Sequence, residues 1–177
     1  MHVVAGLEGG TLFEDDMAIF DMASVRSWLD GGGHVDNTDE WQLHNDTYVG
    51  GVTMLMSACA DGNVPLVDLL LERGANVNRQ DDQGFTALMH AAANGDRAIV
   101  RRLLRAGANT GLRSGNSKYL GRFEYAWCPV MGRRLTAAQM AKRGANFKCA
   151  RAICKHIRKT SESEHELSEL SEDESEA

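Results

Sequence analysis

Only two of the 177 residues are proline, and no apolar run approaches the roughly 18 residues a membrane-spanning helix needs. Residues 1–16 carry acids where a secretory signal would carry a basic stretch, so no signal is expected. The four cysteines (Cys59, Cys128, Cys149, Cys154) have irregular spacing, which fits reduced intracellular thiols better than a disulfide framework. Cys149 and Cys154 are five apart, too far for a two-residue zinc knuckle. None of His2, His34, His44, His90, His156 and His165 accompanies the serine or cysteine motif that nucleophilic catalysis requires. The glycines at 6–10 and 31–33 lack the lysine and Ser/Thr of a phosphate loop. These absences argue against an enzyme, a metal and a cofactor.

Charge is missing in blocks as well. Residues 1–96 hold three Lys/Arg against 16 acids, and residues 97–159 hold 16 Lys/Arg against the single acid Glu124. Residues 160–177 hold eight acids and no Lys/Arg. The net −6 thus hides segments of −13, +15 and −8. Such asymmetry bears on partners and association rates.

What is present is a repeat. Residues 51–83 align with residues 84–116 at an offset of 33, matching Gly51, Thr53, Leu55, Met56, Ala58 and Gly62 to Gly84, Thr86, Leu88, Met89, Ala91 and Gly95. Val67, Leu70, Leu71, Gly74, Ala75 and Asn76 match Val100, Leu103, Leu104, Gly107, Ala108 and Asn109 in the same register. Thr53 and Thr86 are suited to helix N-caps, because a hydroxyl can accept from unpaired backbone amides. Gly62 and Gly95 suit the first helix ends. Second helices over about 64–72 and 97–105 would bury Leu66, Val67 and Leu70, and Ile99, Val100 and Leu103. A single unit cannot bury its apolar face, so neighbours must stack.

The pattern G-x-T-x-L-x-x-A-x-x-x-G-x-x-x-x-V-x-x-L-L-x-x-G-A-x-x-N resembles the ankyrin repeat, with Met54, Met56, Ala87 and Met89 in place of the family's Pro and His. The resemblance implies an all-α solenoid of helix-turn-helix units with finger loops. Upstream, Val25, Trp28, Leu29, Gly32 and Val35 precede their counterparts by 42 residues, which predicts a divergent N-terminal cap over 1–50, with a long helix near 11–29 and an extended finger at 36–50. Downstream, Thr136, Ala141, Ala150 and Ile153 follow theirs by 50, which predicts a degenerate cap over 134–159 behind a 17-residue insertion at 117–133. Arg134 and Ala145 replace two expected glycines. The last 18 residues, 160–177, are expected to be a disordered acidic tail.

The resemblance also implies a binding surface on finger tips and inner helices. Carried over residue by residue, its positions are Tyr48, Val52 and Asp61 in one unit and Asp81, Gln83, Phe85 and Asn94 in the next. Tyr48 and Phe85 would be aromatic anchors. The insertion interleaves aromatics with cations, among them Arg122, Trp127, Arg133 and the adjoining Arg134, a composition that can grip an acidic peptide or stack on bases. Ser161, Ser163 and Ser171 each precede an acid by three residues, the context of an acid-directed kinase. The sequence therefore predicts an intracellular (cytoplasmic or nuclear), monomeric, non-catalytic scaffold or adaptor that binds another protein and no membrane. A nucleic-acid or chromatin module using residues 97–159, masked by the tail, is the alternative.

Overall fold

A computed structural model describes residues 22–43, 47–115 and 134–173, with side chains over 22–38, 50–115 and 134–162. The described elements are helix α1 (Met22–Asp30), strands β1 (Thr38–Leu43) and β2 (Thr47–Thr53), then helices α2 (Met54–Ala60), α3 (Val64–Glu72), α4 (Ala87–Asn94), α5 (Arg97–Arg105), α6 (Ala137–Arg143) and α7 (Phe147–Asp173). The strands pair antiparallel, Thr38 opposite Thr53 and Leu43 opposite Thr47, with a register shift between Asp39 and Trp41. This hairpin occupies the expected finger; within the cap, α1 begins at Met22, and residues 11–21 lie outside the described part.

Helices α2 to α5 each start where a side chain accepts from a free amide. The Thr53 hydroxyl accepts from Met56 N–H and the Thr86 hydroxyl from Met89 N–H, both at 3.3 Å. Asn63 and Asp96 do the same for α3 and α5. Helices this short are marginal alone, so packing sustains them. Inner helices α2, α4 and α6 touch in series, and so do outer helices α3, α5 and α7. Ala58, Ala91 and Ala141, one per inner helix, are wholly buried and allow that close approach. Between the layers lie Leu55, Leu66, Leu70, Leu88, Ile99, Leu103, Met140 and Ile153, all fully buried.

Side chains of one unit also tie down the backbone of the next. Asp36 accepts from Asn76 N–H at 2.9 Å, Asn78 accepts from Asn109 N–H at 2.7 Å, and Gln80 donates to the Arg113 carbonyl at 3.0 Å. Asn146 donates to the carbonyls of Ala92 and Ala93, closing the end of α4 from the following unit. Gly84 has φ +76°, and a Cβ there would sit 2.5 Å from Gly115 N, so the finger turn requires glycine.

The acidic segment departs from the expectation of disorder. Residues 160–173 continue α7 without a break. Nucleation is the costly step of helix formation, and α7 is already nucleated on the stack at Phe147, so Glu, Leu and Ser add at propagation cost only. Residues 174–177 of the expected tail lie outside the described residues.

Candidate functional site

Burial reassigns several of the expected contact residues. Phe85 is 4% exposed, Val52 8% and Asp81 7%, so all three belong to the interior. Phe85 stacks obliquely on His90, ring centres 5.6 Å apart. Asp81 accepts from the backbone N–H of Gln83 (2.9 Å) and Phe85 (2.8 Å) through Oδ1. Its Oδ2 lies 3.7 Å from His90 Nε2. The turn carries its aromatic inward because the Asp81 carboxylate pins the backbone on both sides of Gly84. Phe85 and Asp81 therefore hold the finger and do not anchor a partner. Tyr48, Arg122, Trp127 and Arg133 lie outside the residues whose side chains are described.

Asp61, Asn94 and Arg134 are exposed, and Gln83 is half-buried. Asp61 closes the C-terminus of α2. Partial burial pushes its carboxyl above the usual carboxylate range.

The feature that the sequence reading missed lies at the C-terminal end of the stack. Arg134, Leu135, Gln139, Lys142 and Arg143 line an open cleft of about 490 Å³. Gln139 accepts from Thr136 N–H at 3.0 Å, which fixes its carbonyl and leaves its amide nitrogen as a donor. Arg113 donates to the Arg134 carbonyl at 3.3 Å, adding a third guanidinium, after Arg134 and Arg143, beside the rim. The described ion pairs join Arg73 to Asp30, Arg102 to Asp68 and His90 to Asp81, so none involves a cleft cation. One signal could have found these residues. At the offset of 50, Gln139 and Lys142 correspond to Met89 and Ala92, which the following unit buries. Polar residues at those positions fit an inner helix with no unit stacked beyond it among the described residues.

The two buried thiols are poor nucleophiles. Burial, reinforced by the Asp96 charge, pushes the Cys59 thiol far up, so it stays protonated. Cys149 is raised by burial and by Asp96, with Arg97 opposing. Among the described residues no group of three or more His, Cys, Asp or Glu could hold a metal ion, and no helix is long and apolar enough to cross a membrane.

Helix pairs, capping threonines and interlocking fingers repeat through this stack, and a family model described as ankyrin repeats, in three copies, matches residues 21–114. The chain belongs to the ankyrin-repeat family. No curated protein matches the chain. The matched part covers α1 to α5 of the ankyrin stack, and α6 and α7 extend it by packing on α4 and α5. Ankyrin repeats are in general protein-interaction modules, typically without catalysis, and this chain has the all-α ankyrin solenoid fold.

Proposed function

We propose that this ankyrin-repeat protein is a non-catalytic scaffold whose C-terminal cleft receives an acidic segment of a partner protein. The observation that carries the reading is the cleft itself: Arg134, Lys142 and Arg143 line it without an acid among the described residues from 97 to 159. Arginine binds carboxylates bidentately, and the Gln139 amide adds a neutral donor beside them. Fluorescence anisotropy with a short Glu/Asp-rich peptide tests it. The triple variant R134E/K142E/R143E should bind at least about tenfold more weakly, because each reversal replaces attraction by repulsion at the site. Its far-ultraviolet circular dichroism should not change, since all three side chains are exposed. Equal affinity of variant and wild type would remove the cleft from consideration.

A nucleic-acid partner is the second reading, favoured by one observation. Arg97, Arg101 and Arg105 of α5 are exposed, as are Lys148, Arg151, Lys155 and Arg158 on the adjoining α7. Phosphate contacts release counterions, giving a log–log salt slope of about −0.9 per phosphate on a duplex. A slope of that size for a duplex, with no peptide binding, would favour this reading over the scaffold.

A further inference from the structure

Lys148, Arg151, Lys155, Arg158 and Glu162 recur alternately three and four residues apart on α7, and all five are exposed. They stand opposite the face that buries Cys149, Ala150 and Ile153. The same spacing, carried along the helix to Asp173, reaches His165, Glu169 and Glu172. This is the a/d spacing of a helix-pairing seam, here occupied by four cations in the first half and by three acids and His165 in the second.

Within one helix this order is unfavourable. Cations cluster toward the positive N-terminal end of the helix dipole and acids toward its negative end. Segregation also denies most of the cations an acid one turn on, where i,i+4 pairs would form; only Arg158 has one, Glu162. A second helix running the opposite way removes both penalties. By register the seam mirrors about residue 160: Arg158 falls opposite Glu162 of the partner subunit, Arg151 opposite Glu169 of the partner subunit and Lys148 opposite Glu172 of the partner subunit, while Lys155 falls opposite His165 of the partner subunit and gains no acid there. A parallel pair would set cation against cation. The 14 residues of 160–173 are about 21 Å long at 1.5 Å per residue, enough to lie along the 13 residues of 147–159 in a second copy.

We propose that α7 is a homodimerisation element, pairing antiparallel with α7 of a second copy of this chain through that charge ladder. The sequence by itself suggested a monomer. The pairing stands independently of what the cleft binds, because the seam and the cleft share no residue. Exposed ion pairs are individually weak, so the dimer is salt-sensitive and reversible.

Sedimentation velocity of the full chain at about 0.05 M and about 0.5 M salt should give a dimer that loosens at least about tenfold at the higher salt, where the Debye length shrinks to a few ångströms. K148E/R151E/K155E/R158E and E162K/E169K/E172K should each be monomeric alone and should form a heterodimer when mixed. The second variant alters only positions beyond the packed part of α7, so it tests the pairing even if the first fails to fold. Orientation is read by cysteine cross-linking in a Cys128→Ser, Cys154→Ser background. A mixture of Lys148→Cys and Glu172→Cys chains should cross-link between copies, and Lys148→Cys alone should not. A wild-type monomer at about 0.1 mM and low salt, a dimer that survives either reversal, or a 148-to-148 cross-link would each overturn the proposal. A monomer that binds duplex through the same cations would do so as well and would assign the seam to nucleic acid.

Discussion

Ser114 and Leu135, separated by 20 residues of chain, exchange two hydrogen bonds: Ser114 N–H donates to the Leu135 carbonyl at 3.0 Å, and Leu135 N–H donates to the Ser114 hydroxyl at 3.1 Å. The pair repeats the bonds of Asp81 and Phe85, where Asp81 N–H donates to the Phe85 carbonyl at 3.0 Å and Phe85 N–H to the Asp81 carboxylate. Only three residues intervene between Asp81 and Phe85, and the excess of 17 equals the insertion. The insertion is thus spliced into one finger turn at a point where the turn closes on itself. Replacing residues 115–134 by Asp-Gln-Gly, the tripeptide of the preceding finger, should leave the stack folded. Shortening the loop from 20 residues to three should stabilise it by about 1–2 kcal/mol through loop-closure entropy. Thermal melts check this, and loss of folding would mean that the insertion is part of the core.

Leu70 has no exposed surface and sits between α3 and its neighbours. Leu70→Ala should cost about 2–5 kcal/mol, a large part of the roughly 5–15 kcal/mol a domain has. Urea titration followed by circular dichroism measures the loss. A midpoint equal to wild type would exclude Leu70 from the core.

Asp81 and Phe85 give a paired comparison. Asp81→Ala leaves two backbone amides without their acceptor and should cost about 1–3 kcal/mol. Asp81→Asn keeps an oxygen in place and should cost less. Phe85→Ala should cost about 3–5 kcal/mol. Chemical denaturation of the three variants would refute the structural assignment if all melted as wild type and lost only partner binding.

Ala145 is the only non-glycine residue of positive φ among those described, at +58°. It occupies the place of Gly95, whose φ is +85°. An L-residue pays about 1 kcal/mol in that region, so Ala145→Gly should raise stability by up to about that amount. The melting temperature should rise by a few degrees, and a fall would show that the backbone there is not left-handed.

Asp61 carries a raised carboxyl pKa at the negative end of α2. The folded state therefore binds its proton more tightly than the unfolded chain does. Its charge destabilises the fold above the folded pKa, and the penalty disappears below the unfolded value of 3.8. Asp61→Asn should stabilise slightly at neutral pH, by no more than about 0.5 kcal/mol at an exposed helix end. The gain should vanish as pH falls through the carboxylate range. A gain independent of pH would assign the effect to something other than the charge.

Periodicity in the sequence was enough for the helices over 64–72 and 97–105, the threonine caps and the apolar positions between layers. Those features depend on spacing and on local hydrogen bonding, and both are written in consecutive residues. Phe85 was not legible in the same way. An aromatic beside a glycine in a finger reads as exposed, and only the Asp81 carboxylate, by accepting from the amides around it, turns the ring inward. The polar Gln139 and Lys142 at the repeat positions of Met89 and Ala92 hint at an uncovered inner helix, but that they and Arg143 share a cleft with Arg134 depends on no inner helix packing beyond α6 among the described residues. The acidic segment reads as disordered from its composition, whereas its continuation as helix depends on α7 being anchored upstream by Cys149, Ala150 and Ile153. Repeat identity is a property of short-range pattern, so the sequence determined it; exposure depends on which surfaces neighbouring units cover, and only the tertiary structure decided that.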